Sequence, residues 1–141
     1  MNQCCSNNET SSHYPKSHHC PINRQSYISV KRSTLLHHIK QPWLNALTEQ
    51  AYYFCTDPKC DVVYFGLDNT TIPKNNVRTT IWQKSQSEEA NICYCFGVTK
   101  KLAADDAGIK QFVIEQTKSG TCACETRNPS GHCCLKDFSK V

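Results

Sequence analysis

The chain has 141 residues, eleven of them cysteine; 38% are hydrophobic with the cysteines counted, and the formal net charge is +4. A core this thin in so small a chain calls for staples of sulfur or metal. Basic residues are scattered, with Lys31-Arg32 and Lys100-Lys101 the basic doublets, so no stripe for nucleic acid is expected.

Residues 1–19 are polar and are expected to form a disordered tail; they hold no apolar run of the secretory kind. Residues 27–30 alternate as a short strand. Ser33 is expected to cap a helix over 34–40 with Leu35, Leu36 and Ile39 on its apolar face, ended by Pro42. Residues 42–49 are a connector. Two aromatic and β-branched runs, 51–55 and 61–65, read as a hairpin around a turn at 56–59. A loop over 68–76, a third strand over 77–83 and a polar linker over 84–91 follow. Thr99 is expected to cap a helix over 100–107 that breaks at Gly108, before a second helix over 109–118 burying Ile109, Phe112, Val113 and Gln116. Gly120 fits its C-terminal cap. A turn at 128–131 and a short final helix from Cys133 complete the chain.

The cysteines are grouped: Cys4-Cys5, Cys20, Cys55 and Cys60, Cys93 and Cys95, Cys122 and Cys124, Cys133-Cys134. Thiols so close in sequence rarely bond each other but readily share a metal. No run approaches the roughly 18 apolar residues of a membrane span. The expected setting is therefore cytoplasmic and reducing, without membrane insertion, where grouped cysteines bind metal more often than they form disulfides. Cys55-x4-Cys60 at a hairpin tip is a half-site for tetrahedral zinc, and Cys20 is the nearest upstream third ligand. The fourth stays open among His18, His19, Cys4 and Cys5. The competing reading makes Cys55 and Cys60 buried small hydrophobes. His37 and His38 are expected at the surface or partly buried.

The later cysteines supply enough thiolates for a [2Fe–2S] cluster, a second zinc or Cu(I), which ligand type alone does not separate. The helix expected after Cys95 and the turn at 128–131 are expected to offer amides to the sulfurs.

These residues resemble a known family. Tyr53-Phe54-Cys55, Cys60 to Phe65, Cys93-Tyr94-Cys95, and Cys124 with Asn128-Pro129-Ser130-Gly131-His132-Cys133-Cys134 are similar to the CopZ zinc-binding family, the amino-terminal domain of CopZ copper chaperones, with one zinc and one [2Fe–2S] cluster. The second half also resembles bacterioferritin-associated ferredoxin. The resemblance implies cluster ligands at Cys93, Cys95, Cys124 and Cys134, and zinc ligands at Cys20, Cys55 and Cys60. The family's other zinc cysteine falls on Asn23. The Met-x-Cys-x-x-Cys copper loop of such chaperones is not in this sequence, whose one methionine is Met1, so copper delivery by this chain alone is not expected.

The expected fold is α+β: a small β-rich zinc-knuckle half over 20–86, then a helical [2Fe–2S]-binding half over 87–141, stapled by metal. The expected function is one-electron transfer with a redox partner protein, without enzymatic catalysis. One alternative is a copper-trafficking accessory that reduces Cu(II) or transiently binds Cu(I) through the spare Cys4, Cys5, Cys122 and Cys133, helped by His18 and His19, with a copper-handling partner. Another is a non-redox interaction module built on structural zinc.

Overall fold

A computed structural model describes residues 14–44 and 47–140. The first half is an antiparallel meander of strands in the order β1 (Ser17–His19), β2 (Ser26–Val30), β3 (Tyr52–Phe54), β4 (Val62–Gly66) and β5 (Thr71–Pro73). Helix α1 (Arg32–His38) follows β2. The second half carries a small hairpin, β6 (Asn91–Cys93) with β7 (Val98–Thr99), and helices α2 (Lys100–Asp105), α3 (Ala107–Lys118) and α4 (Cys124–Arg127), ending in a 3₁₀ segment, Cys134–Lys140. The architecture is α+β, with a β-rich first half and a helical second half.

Strands β3 and β4 are buried along their whole length. Tyr53 pairs with Phe65 and Phe54 with Tyr64, and period-2 alternation sends these pairs to opposite faces. Tyr53 and Phe65 stack at 5.5 Å in a cluster with Cys20, Cys55, Cys60 and Val62. Phe54 and Tyr64 pack with Leu35 of α1, Val77 and Ile81 on the other face. Both faces being covered is why this hairpin reads as a nearly continuous apolar run.

Several expectations need correction. Residues 17–19, assigned to the disordered tail, form β1 by pairing with β2; edge pairing supplies what the polar sequence does not advertise. Helix α1 starts at Arg32 and has no side-chain cap, so Ser33 lies inside it, and Leu36 is exposed while Leu35 and Ile39 are buried. The loop at 68–76 contains β5, which takes the edge beside β4. The third strand expected at 77–83 is reduced to one bridge, Ile39 with Val77, and a 3₁₀ turn, Trp82–Lys84; β5 is the strand paired with β4. Thr99 caps α2 as expected, its Oγ1 accepting from the Leu102 N–H at 3.2 Å. The break falls at Asp106, whose carboxylate caps α3 through the Gly108 N–H at 2.9 Å, earlier than Gly108. In α3 only Val113 is fully buried; Phe112 is 48% exposed and meets Phe96 edge-on at 5.5 Å.

The halves are joined by groups of the first reaching carbonyls of the segment around α4. Tyr64 Oη donates to Pro129 O at 2.6 Å, Thr34 Oγ1 donates to Glu125 O, and His38 Nε2 donates to Thr126 O at 2.6 Å. His38 is 2% exposed, more deeply buried than the surface or partly buried setting expected for it. Gly131, at φ +75°, sits where a Cβ would come within 3.4 Å of Thr34 Oγ1, so a glycine there eases the approach of the turn to α1.

Candidate metal centre

The site is built from two hairpin tips lying side by side. Cys20 opens the β1–β2 turn, closed by Cys20 N–H to Gln25 O and Arg24 N–H to Cys20 O, each 2.8 Å. Cys55 extends the β3 ladder through its N–H to Val63 O at 2.8 Å, and Cys60 closes the β3–β4 turn through its N–H to Asp57 O at 3.1 Å. The Sγ atoms of Cys20, Cys55 and Cys60 all lie within 4.8 Å of one another, and the residues are 0%, 0% and 5% exposed. A tetrahedral zinc with Zn–S near 2.3 Å needs sulfurs about 3.8 Å apart, so the triad stands close to ligating geometry. Burial, reinforced by Cys55 and Cys20, pushes the Cys60 thiol up to about 11 against the help of the Val62 N–H. Clustered buried thiolates need a cation to ionise together.

None of the expected fourth ligands joins this triad among the described residues. His18 Nε2 bonds Asn69 Oδ1 at 3.1 Å, with its ring 5.4 Å from Tyr53 and 5.9 Å from Phe65. His19 is exposed. Cys4 and Cys5 lie outside the described residues. Asn23 is what faces the triad: its Nδ2 donates to Cys55 Sγ at 3.5 Å, to Asp57 Oδ2 at 3.0 Å and to Tyr27 Oη at 3.1 Å. Lys84, placed by sequence in a polar linker, is 8% exposed. Its ammonium donates to Asp57 O at 2.6 Å, to Cys60 O at 2.9 Å and to Cys55 Sγ at 3.6 Å. No local pattern marks it, because these partners lie 24 to 29 residues away.

The second group of cysteines gathers around β6 and α4. Cys95 Sγ lies 3.8 Å from Cys124 Sγ and accepts from the Ala123 N–H at 3.0 Å. Cys134 hydrogen-bonds both Cys124 and Cys93, and these contacts, with burial, hold its thiol far above the ordinary range. Cys95 is raised by its bond to Cys124 and by burial. Cys93 is lowered, first by the bond from Cys134 and then, against burial, by the N–H groups of Phe96 and Cys95. The thiols thus run as a chain, Cys93–Cys134–Cys124–Cys95. They do not form a compact triad like the first; among the described residues that geometry belongs to Cys20, Cys55 and Cys60.

Two expectations about this region change. The sulfurs of Cys93 and Cys95 meet amides of the β6–β7 turn and of Ala123, the N-cap of α4, and not the N-terminus of α2, since the turn at Gly97 (φ +69°) and β7 separate Cys95 from α2. The 128–131 turn spends its amides on itself: Ser130 N–H on Asn128 Oδ1, Gly131 N–H on Asn128 O and His132 N–H on Ser130 Oγ. The spare thiols proposed for Cu(I) are not gathered among the described residues: Cys122 is disulfide-bonded and Cys133 is half-buried and outside any disulfide.

Comparison with known proteins places this arrangement. The CopZ-type zinc binding domain family matches residues 17–78. The X-ray structure of the Archaeoglobus fulgidus CopZ N-terminal domain superposes with a TM-score of 0.71 at 30% identity, over 87% of this chain and 96% of that one. The chain belongs to the family of CopZ N-terminal domains. It is also 38% identical over 87 residues to the copper chaperone CopZ of A. fulgidus, covering 59% of this chain and 42% of the chaperone, so the match spans less than half of that relative's length. The matching family is described as a zinc binding domain. Among the described residues of this CopZ-type domain, no helix is long and apolar enough to cross a membrane.

Proposed function

We propose that this chain is a copper-handling accessory of the CopZ type, acting in the cytoplasm with a copper-handling partner and organised by zinc at Cys20, Cys55 and Cys60. The observation that carries the reading is a three-thiol centre assembled on the fold of a copper chaperone's N-terminal domain. Buried sulfurs at this spacing suit a soft or borderline cation such as Zn(II) or Cu(I). The test is single-turnover kinetics under anaerobic conditions. A reduced [2Fe–2S] cluster, were one held by Cys93, Cys95, Cys124 and Cys134, should give its one electron to Cu(II) faster than to a generic oxidant of similar driving force, or the protein should accept Cu(I) in competition with a chelator. Neither behaviour would remove copper from the reading.

The second reading is one-electron exchange with a redox partner, through a [2Fe–2S] cluster held by Cys93, Cys95, Cys124 and Cys134, in a half akin to small ferredoxins. Three observations fit the group. The four thiols are outside any disulfide and extended as linked pairs, which suits two irons with two thiolates each better than one ion. Backbone N–H groups already point at their sulfurs. Asn128 Nδ2, in the segment that follows Cys124, is a buried donor with no acceptor. A bound cluster would supply one-electron chemistry; the residues themselves gather the sulfurs, donate hydrogen bonds to them and exclude water. Iron, zinc and acid-labile sulfide measured on anaerobically purified protein decide the matter. A colourless protein with two zincs and no iron would leave the structural-zinc module instead.

A further inference from the structure

The amide of Asn23 has a fixed orientation. Its Oδ1 accepts from the Gln25 N–H at 2.8 Å, so turning the amide over would set two N–H groups against each other. Nδ2 is thereby aimed at Cys55 Sγ and Asp57 Oδ2. An N–H donor does not ligate a cation, so the residue occupying the family's fourth-cysteine position faces the centre as a hydrogen-bond donor. The Asp57 carboxylate is held away as well: Oδ1 accepts from the Lys59 N–H at 2.9 Å, Oδ2 accepts from Asn23, and neither oxygen stands within 4.8 Å of all three sulfurs.

Charge points the same way. Three thiolates and a dication leave one net negative charge, and the Lys84 ammonium, nearly buried and bonded to Cys55 Sγ and to two carbonyls of the same turn, cancels it. The side of the centre next to Asn23 and Asp57 is half-buried rather than sealed.

We propose that Cys20, Cys55 and Cys60 form an open metal centre, in which Lys84 is the counter-charge and an exogenous donor, water in the resting state, holds the fourth coordination position. The proposal rests on the reading that this triad holds zinc. It makes the site one from which a metal can leave or enter by ligand exchange, since an open position admits an incoming thiolate before any protein sulfur departs. A closed four-thiolate site has no such step.

The test is zinc K-edge absorption on the full chain loaded to one zinc, together with zinc affinity from chelator competition. The wild type should show three sulfur scatterers and one light scatterer, and added 2-mercaptoethanol should convert this to four sulfurs. Asn23→Cys should show four sulfurs without added thiol, be unaffected by it, and bind zinc at least about tenfold tighter. Lys84→Met should weaken zinc at least about tenfold, about 1.4 kcal/mol, while Lys84→Arg, keeping the charge, should lose less. Circular dichroism of each variant separates a binding loss from misfolding. Four sulfurs in the wild type without added thiol, or a light scatterer that the thiol does not displace, would overturn the open position. Unchanged affinity in folded Lys84→Met would overturn the counter-charge. If zinc fails to bind at one per chain, or binds equally to Cys55→Ser, it is the zinc assignment itself that fails.

Discussion

His38 offers a measurable link between pH and the joint between the halves. Its ring is 2% exposed, with Nδ1 accepting from Thr79 Oγ1 and Nε2 donating to Thr126 O, each at 2.6 Å. Burial first, then His37 and Arg78, lower its pKa from the ordinary 6.5 to about 4, against the raising effect of the Thr126 carbonyl. The neutral ring is therefore the folded form, and the unfolded chain takes up the proton first as pH falls. Stability from this group is complete above about 6.5, falls between 6.5 and 4, and is level below 4. Going from pH 8 to pH 5 should remove about 2 kcal/mol through this residue alone, and acid below 4 about 3 kcal/mol in all. Thiolates and metal ligands also titrate in acid, so the assay is a comparison at equal metal content. Urea unfolding of wild type and His38→Gln would be followed from pH 8 to pH 5. His38→Gln should be the less stable at pH 8, by about 1–3 kcal/mol for lost hydrogen bonds, and the gap should shrink by about 2 kcal/mol at pH 5. A gap that stays constant over that range would refute the buried neutral histidine and the coupling built on it.

Cys124→Ser should abolish visible absorption of the anaerobically purified protein, whereas Cys122→Ser should keep it, because the sulfur beside Cys95 belongs to Cys124. Tyr64→Phe leaves the Pro129 carbonyl, now served at 2.6 Å, without its donor; thermal melting should show a loss of about 1–3 kcal/mol. Gly97→Ala has open space around the added Cβ but keeps φ at +69°, so its loss should be about 1 kcal/mol of backbone strain, with metal content by elemental analysis unchanged.

Legibility followed the range of the interactions. The β3–β4 hairpin and its flanking Cys55 and Cys60 were readable because aromatic and β-branched density is a property of neighbouring residues. The Thr99 cap was readable for the same reason. Strand β1 was not, since a Ser-His-His run becomes a strand only by pairing with β2. The expected strand over 77–83 had suitable residues, but β5 takes the place beside β4 and Val77 alone makes a bridge, to Ile39. His38 read as a surface or partly buried imidazole because Thr79 and Thr126, 41 and 88 residues on, are what satisfy its ring.

At the metal centre, residue order determined the thiol chemistry: Cys55-x4-Cys60 at a turn, Cys20 upstream and Asn23 in place of a further sulfur. Spacing along the chain sets which thiols can share a turn, and side-chain type sets which cations they prefer. Tertiary structure decided what surrounds those sulfurs. The two hairpin tips had to be brought side by side to make the triad, and Asn23 had to be locked by Gln25 for its N–H to face Cys55. A lysine from a polar stretch had to be buried against two turn carbonyls to become part of the site. Orientation and charge balance depend on contacts across the fold, and such contacts leave no local trace in the sequence.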